Sequence, residues 1–287
     1  MRRWLLASGM ALAALPLCAS AAAEPEFFDD FLQPDLDALR ASGWVLREGS
    51  GHPGLAGSRF AAGQLALKDG ELHLKLSTDG TPAGTLQPQL CGPRKFLIGT
   101  TSARIRLRDG AGPRDPQVQA FFLAGPLRFD YDPEFSEADF EYLPHGGWGE
   151  PATRLYGVSW QTVRLEPWQS FNSAAQAMGS HDGWQVLTVQ VDAGRVRHYV
   201  NGKLLHESGG RNVPVRPMAI SFSHWLAAGA EPGEPREHEF EVDWVLHEAG
   251  RLLTPAAMQA RVAQLRRQGV TQRDSVPDAG LSSECNL

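Results

Sequence analysis

The sequence has few cysteines and lacks several common catalytic and binding motifs. Only three of its 287 residues are cysteine, and no spacing of Cys and His fits a zinc site. No glycine-rich phosphate loop precedes a helical pattern, and no G-x-S-x-G nucleophile elbow is present. These absences argue against the common zinc, nucleotide and serine-hydrolase chemistries. We therefore expect neither a catalytic metal nor a cofactor.

Charged residues are also scarce, and their balance is acidic. They make up 21% of the chain, and 33 Asp and Glu against 27 Lys and Arg give a formal net charge of −6. This balance argues against nucleic acid or an anionic membrane as a partner and is easier to reconcile with a neutral polymer. The hydrophobic content of 42% is sufficient for one large β domain.

An apolar N-terminal run indicates export. Two arginines precede the run at residues 4–17, and small residues follow at 19–23. This is the pattern of a secretory signal peptide, and it is too short for a membrane span. We predict a signal peptide over residues 1–23, cleaved near Ala21 or Ala23. The mature protein would then be secreted or periplasmic, without insertion into a membrane.

Two cysteines, Cys91 and Cys285, remain after this cleavage. Export permits a disulfide between them, which would pin the C-terminal tail to the body of the protein. The sequence does not establish that their Cα atoms come within bridging distance. A disulfide and two unpaired thiols therefore both stay open.

Short alternating runs dominate the segment 24–250. Two of them flank Asp69-Gly70, and two more flank Asn201-Gly202. Alternation around Asp-Gly or Asn-Gly is a strong hairpin signal, because both residues of such a turn tolerate positive φ. Few helical patterns interrupt the strands, so the sequence predicts an all-β sandwich.

Helical spacing is found near the C-terminus, in the segment 251–287. Thr254 can cap a helix that begins at Pro255, and Gly269 suits its end. We predict one short amphipathic C-terminal helix over residues 254–268, docked on the sandwich, followed by a polar tail.

One run combines apolar residues with three carboxylates: residues 136–142 read S-E-A-D-F-E-Y. In a strand, Glu137, Asp139 and Glu141 share one face. A carboxyl beside another carboxylate keeps its proton to higher pH. Glycoside hydrolysis needs one ionised carboxylate beside one protonated acid. We hypothesise that Glu137 is the nucleophile and Glu141 the acid/base, with Asp139 modulating both; the alternative is a solvated acidic strand.

The spacing of these acids sets a condition on the hypothesis. On a flat strand the Cα atoms of Glu137 and Glu141 would lie about 13 Å apart. A retaining glycosidase needs its two carboxyl groups about 5 to 5.5 Å apart. The hypothesis therefore requires a curved and twisted sheet on which the two long side chains lean together.

The acidic run resembles the E-x-D-x-E signature of glycoside hydrolase family 16, which includes laminarinases and lichenases. Residues 199–202, Y-V-N-G, resemble the Y-V-D-G hairpin of that family, and the likeness extends roughly over 27–245. It implies a concanavalin-like jelly roll and a monomeric, retaining endo-β-glycan hydrolase. The implied substrate is a β-1,3- or β-1,3-1,4-glucan, with agar-type galactans as a second option. Calcium sites occur on this fold, but no contiguous ligand loop is visible, so a structural cation stays undetermined.

Two other functions stay open. A transglycosylase would use the same carboxylates but transfer the sugar to another sugar. A non-catalytic carbohydrate-binding protein on this fold would need no pair of acids, and the intact acidic run argues against it.

Two tryptophans are candidates for substrate binding because they lie in loops near the acidic strand. Trp148 follows that strand in a glycine-rich loop and could stack on a sugar ring or simply anchor the loop. Trp168 lies in the long connector 163–182, which could form a wall of the cleft.

Two further candidates follow from the resemblance. His224 and Trp225 end a strand similar to a family strand that closes on a polar residue and a Trp, although a lone His is more often structural. Ser159 aligns with an Asn that lies near the cleft in many members. Trp160 is expected in the core.

Overall fold

The computed structural model describes residues 24–110, 115–283 and 285; the predicted signal peptide lies outside the described residues. Within the described part of the chain the alternating runs form eighteen strands. The strands are β1 Glu26–Asp29, β2 Val45–Leu46, β3 Arg59–Phe60, β4 Leu65–Lys68, β5 Glu71–Thr78, β6 Leu86–Gln87, β7 Gln89–Cys91, β8 Gly99–Leu107, β9 Gln117–Ala124, β10 Glu137–Leu143, β11 Arg154–Arg164, β12 Gln169–Met178, β13 Gly183–Val191, β14 Arg195–Val200, β15 Lys203–Gly209, β16 Ala219–Leu226, β17 Arg236–Ala249 and β18 Gln272–Asp274. The helices are α1 Leu36–Ala41 and α2 Pro255–Arg267, with 3-10 turns at Ala62–Gln64 and Gly210–Asn212.

The strands form two sheets. The front sheet has seven strands in the order β12-β11-β10-β9-β16-β7-β2. The back sheet has eleven, with the path β15-β14-β13-β8-β17-β5-β6-β3 and with β1, β4 and β18 paired beside it. Neighbouring strands are antiparallel except for the pair of β3 and β6. This arrangement confirms the predicted β-sandwich.

Apolar side chains between the two sheets fix the orientation of β10. Phe140 stacks on Phe121 of β9, and Phe121 stacks on Phe222 of β16, with ring centroids 6.3 and 5.3 Å apart. Burying each ring stabilises the fold by about 1.5 to 3 kcal/mol. A slip of one residue would exchange these rings with the carboxylates of β10, so the core fixes the register that turns the carboxylates outward.

The two predicted hairpins are present. Asp69 and Gly70 have φ of 55° and 80° and join β4 to β5; Asn201 and Gly202 have φ of 49° and 81° and join β14 to β15. Both turns therefore have the left-handed backbone that Asp-Gly and Asn-Gly favour.

The predicted C-terminal helix is present as α2. The Thr254 hydroxyl accepts a hydrogen bond from the backbone N–H of Ala257, 3.2 Å away, and caps the helix. The apolar face of α2 packs over Trp244 of the back sheet. Its buried residues are Pro255, Met258, Val262 and Leu265. No helix in the described ranges is long and apolar enough to span a membrane.

The C-terminal tail is attached to the body at two places. Strand β18 pairs with β1, and Cys285 forms a disulfide with Cys91 of β7, their Cα atoms 5.5 Å apart. The structure thus resolves the open question about these cysteines in favour of the disulfide. The short helix α1 and the strand β18 have no counterpart in the sequence predictions.

Candidate active site

The three carboxylates of β10 line one cavity on the outer face of the front sheet, with a volume of about 520 Å³. They lie on alternate residues, as predicted. The register of β10 with its two neighbours places small and aromatic residues around them. The floor consists of Ala120, Phe122 and Ala124 of β9 and Tyr156, Val158 and Trp160 of β11.

Little polar protein surrounds these carboxylates. Glu137 is 8% exposed and Asp139 3% exposed, while Glu141 is half-buried. The Trp160 indole N–H donates a hydrogen bond to Asp139 Oδ2 at 2.8 Å. The other oxygen, Oδ1, has no hydrogen-bond partner in the described part of the chain. Among the described residues, no Lys or Arg lines the cavity.

Burial raises the pKa of all three carboxyl groups. The pKa of Asp139 rises to about 7, partly offset by the hydrogen bond from Trp160. The pKa values of Glu137 and Glu141 lie well above their usual range, first because of burial and second because of neighbouring carboxylates. The raised pKa values agree with the sequence hypothesis, but burial contributes more than the crowding of like charges. The raised pKa values favour keeping a proton in the site at a higher pH than exposed carboxyl groups would.

Aromatic side chains stand at both ends of the carboxylate row. Trp160 pairs across the strands with Glu137, and Trp168 contacts it edge to face, with centroids 6.1 Å apart. Tyr156 pairs with Glu141, and Trp148 tilts against it at 5.7 Å. Trp168 and Trp148 are 50% and 53% exposed, so both rings are available for stacking on a sugar.

The structure separates the other two predicted binding residues. Trp225 lines the cavity, as expected of a cleft residue. The expectation for His224 is wrong, because the alternation of β16 turns it between the sheets, where it is 0% exposed. Its Nε2 lies 2.7 Å from Gln117 Oε1, and its Nδ1 lies 3.3 Å from the carbonyl oxygen of Leu74. His224 is a structural residue of the core.

The two faces of β11 are exchanged relative to the sequence prediction, which placed Ser159 near the cleft and Trp160 in the core. Ser159 is fully buried, opposite Ala138 of β10, whereas Trp160 faces the cavity instead of the core. An amide near the carboxylates comes instead from Asn172. That residue belongs to β12, so half of the expected connector 163–182 is a strand, and its residues Asn172 and Ala174 line the cavity as a cleft wall.

Sequence reasoning also missed the loop between β2 and β3. His52, Pro53 and Gly54 of this loop line the cavity, as does Gln89 of β7. The glycine-rich composition of the loop indicates a turn, but no local pattern shows that it reaches a site formed by strands so far away in sequence.

A second group of acids lies on the back sheet. Ligand atoms of His73, Glu239 and Glu241 lie within 4.8 Å of one another. Arg108 already binds the Glu241 carboxylate through hydrogen bonds of 3.0 and 2.5 Å. Calcium prefers oxygen ligands, so a group that contains a histidine and a competing arginine is a poor fit for a structural calcium ion.

No family model matches the chain. The endo-1,3-1,4-beta-glycanase ExoK of Rhizobium meliloti (strain 1021) is 29% identical over 203 residues, which cover 67% of this chain and 66% of that protein. The match thus spans slightly less than two thirds of the relative's length.

Solved structures of glycanases share the fold. A beta-1,3-1,4-glucanase (lichenase) derived from a mouse hindgut metagenome superposes with a TM-score of 0.59 at 18% identity, covering 78% of this chain and 99% of that chain. The kappa-carrageenase from Pseudoalteromonas carrageenovora superposes with a TM-score of 0.53 at 14% identity, covering 82% and 98%. These superpositions confirm the expected jelly-roll sandwich.

Proposed function

We propose that the chain is a laminarinase- and lichenase-like member of glycoside hydrolase family 16, as its relative and its fold suggest. In this proposal it is a secreted, monomeric hydrolase that cleaves a β-1,3- or β-1,3-1,4-glucan internally with retention of configuration. One observation carries the proposal: three carboxylates, two of them buried and one half-buried, have raised pKa values and line one aromatic-walled cavity. The name of the Rhizobium relative, an endo-1,3-1,4-beta-glycanase, supports the class of linkage.

In the first step, the Glu137 carboxylate attacks the anomeric carbon of the bound sugar. The bond from that carbon to the glycosidic oxygen breaks, and the proton of Glu141 passes to the leaving oxygen. Trp160 donates to Asp139, which holds that side chain in place between the two glutamates. The product of this step is a glycosyl ester on Glu137.

In the second step, the Glu141 carboxylate removes a proton from water, and the water oxygen attacks the anomeric carbon. The ester bond to Glu137 breaks, and both carboxyl groups return to their initial states. Burial raises the pKa of both glutamates, so their pKa values alone do not distinguish the nucleophile from the acid. The assignment rests on their positions in the E-x-D-x-E motif.

The charge of the cavity favours a neutral substrate. Its described lining contains three carboxylates and neither Lys nor Arg, so an anionic polymer would meet repulsion without a compensating cation. This argues against sulfated galactans, although the fold is shared with a carrageenase.

The proposal is tested by measuring the release of reducing ends from laminarin, mixed-linkage β-glucan, xyloglucan, agarose and carrageenan. We expect release from one of the first two polymers by the parent protein and none by Glu137→Gln. Proton NMR of the first product should show the β-anomer. An α-anomer would contradict a retaining mechanism, and cleavage of carrageenan would contradict the neutral substrate.

The same measurements separate the two alternative functions. A transglycosylase would give products longer than the starting oligosaccharide, because the aromatic pairs at both ends of the carboxylate row offer platforms for a donor and an acceptor sugar. A carbohydrate-binding protein would release no reducing ends, and Glu137→Gln would bind the polymer as well as the parent does.

A further inference from the structure

A contact between two loops closes over the candidate active site. The His52 ring stacks on Trp168, with centroids 5.6 Å apart and planes 25° apart. His52 lies in the loop between β2 and β3, and Trp168 lies in the turn between β11 and β12. Both rings also line the cavity that contains the three carboxylates.

These two loops start from opposite edges of the front sheet. Strand β2 forms one edge, and four strands, β10, β9, β16 and β7, lie between it and β11. At about 4.8 Å per strand, the five intervals amount to roughly 24 Å along the sheet. A contact between the two loops must therefore cross the outer face of the sheet. Because the cavity lies on that face, the contact forms a roof over it.

The roof is connected to the floor through a third ring. Trp168 contacts Trp160, which stands beside Glu137 and donates to Asp139. Trp160, Trp168 and His52 thus form a continuous chain of rings from the floor to the opposite rim. A sugar bound next to Glu137 lies under this chain.

We propose that His52 and Trp168 determine specificity by admitting only unbranched stretches of a neutral glycan next to the nucleophile. This rests on the proposed function. A linear chain can run beneath the roof along the cavity. A side branch on a sugar in the covered part would have to pass through the contact between the two rings.

The backbone of the loop is held independently of the contact. Arg47 Nη1 donates to the His52 carbonyl oxygen at 2.8 Å and to Gln89 Oε1 at 2.7 Å. The Arg47 guanidinium also lies 3.8 Å from the centroid of Phe60. Removing the His52 side chain should therefore open the roof without releasing the loop.

The path of the loop depends on glycines. Four residues of the loop have φ between 94° and 132°, a region that residues with a Cβ atom rarely adopt. They are Gly49, Gly51, Gly54 and Gly57. An internal segment of a long polymer would enter when the His52 and Trp168 rings separate and would be covered when the contact forms again.

The first test asks whether the contact exists in solution. The melting temperatures of the parent, His52→Ala, Trp168→Ala and the double variant form a cycle that does not depend on catalysis. We expect the double variant to lose clearly less than the sum of the two single losses. Additive losses of melting temperature would contradict the contact between His52 and Trp168 and overturn the proposal.

The second test asks what the roof excludes. Glu137→Gln is used as the inactive background, and affinity gel electrophoresis is run with a β-1,3-glucan carrying single-glucose branches and with the same polymer after the branches are removed. We expect the background protein to be retarded by the debranched polymer alone. His52→Ala added to this background should be retarded by both, with at least a fivefold gain in affinity for the branched form.

Phe171→Ala is the matched control. Phe171 is an exposed aromatic residue of β12, next to the same turn, and does not line the cavity. It should leave the discrimination unchanged. Equal binding of both polymers by the background protein, or unchanged discrimination in the His52 variant, would overturn the proposal. Binding of neither polymer would contradict the proposed substrate, and the melting cycle would then decide whether the roof exists.

Discussion

Asp132 and Asp139 are both buried and lie only seven residues apart, yet their surroundings are opposite. Asp132 accepts two hydrogen bonds of 2.6 Å from Arg128 and one of 2.9 Å from the backbone N–H of Glu134. These partners hold its pKa down at about 2. Asp139 accepts one side-chain hydrogen bond, from Trp160, and burial raises its pKa to about 7.

The difference distinguishes buried carboxylates that stabilise the fold from those that line the candidate active site. A buried carboxylate is costly unless it is paired, and Asp132 has its cation. Glu26 of β1 follows the same rule, because Arg261 of α2 and Arg273 of β18 outweigh its burial and lower its pKa. In the part of the chain that the structure describes, the carboxylates of β10 have no such cationic partner. Burying a carboxylate without a cationic partner does not stabilise the fold. It does raise the pKa of the carboxyl group, as acid catalysis requires.

The comparison of Asp132 with the carboxylates of β10 predicts its largest difference in catalytic activity. Glu137→Gln or Glu141→Gln should lower kcat/KM by about 10³-fold or more, because each removes a group that reacts with substrate or transfers a proton. Asp132→Asn should change turnover per folded molecule by no more than about twofold, because Asp132 is bound to Arg128 outside the cavity. This is checked by initial rates on the polymer that the parent protein cleaves, after correction for the fraction of folded protein. Equal losses for all three would remove the distinction.

The next contrast is in stability. Folding raises the pKa of Asp139 to about 7 from 3.8, so its protonated form is favoured in the folded state. The associated stability is fully present below pH 4 and is lost as the pH rises through 7. Asp139→Asn keeps the acceptor for Trp160 and removes the charge. It should raise the free energy of unfolding by about 2 to 4 kcal/mol at pH 8 and change it little at pH 4. Denaturant unfolding at both pH values measures this; a variant less stable than the parent at pH 8 would contradict it.

A substitution of Arg128 tests how much the ion pair with Asp132 stabilises the fold. Arg128 lowers the pKa of Asp132 to about 2 from 3.8, so its stabilising effect is present above pH 4 and is lost as the pH falls through 2. Arg128→Met should lower the melting temperature by roughly 2 to 5 °C at pH 6 and by less at pH 3. Arg211→Met, an exposed arginine, is the control and should lower it by less than about 1 °C. A loss that does not depend on pH would mean that Arg128 acts through packing alone.

Local patterns predicted the parts of this molecule that depend on neighbours in sequence. The alternation of β10, the two hairpins and α2 are set within short segments, by periodicity and by turn residues. The alternation alone also shows that His224 and Trp225, being consecutive residues of a strand, cannot both face the cavity. Which one does depends on how β16 pairs with β9, and no local signal fixes that pairing.

The remaining parts of the site come from long-range pairing. The inward position of Ser159 follows from the register of β11 on β10, and the position of His52 follows from a contact between loops that start from opposite edges of the front sheet. The disulfide joins residues 194 positions apart. Each depends on the sum of many contacts between distant strands, so composition and spacing carry no direct information about it.

Trp160 offers the smallest and most specific test, because it is the side chain that hydrogen-bonds Asp139. Its indole N–H favours the ionised carboxylate, so removing this donor raises the pKa of Asp139 further. Trp160→Phe keeps an aromatic ring and should raise the Asp139 pKa by about half a unit, roughly 0.7 kcal/mol. A ¹³C titration of the Asp139 carboxyl, assigned by its absence in Asp139→Asn, measures the shift. Trp148→Phe, at the other end of the row, should leave it unchanged; a lower pKa in the Trp160 variant would show that another group holds this carboxylate.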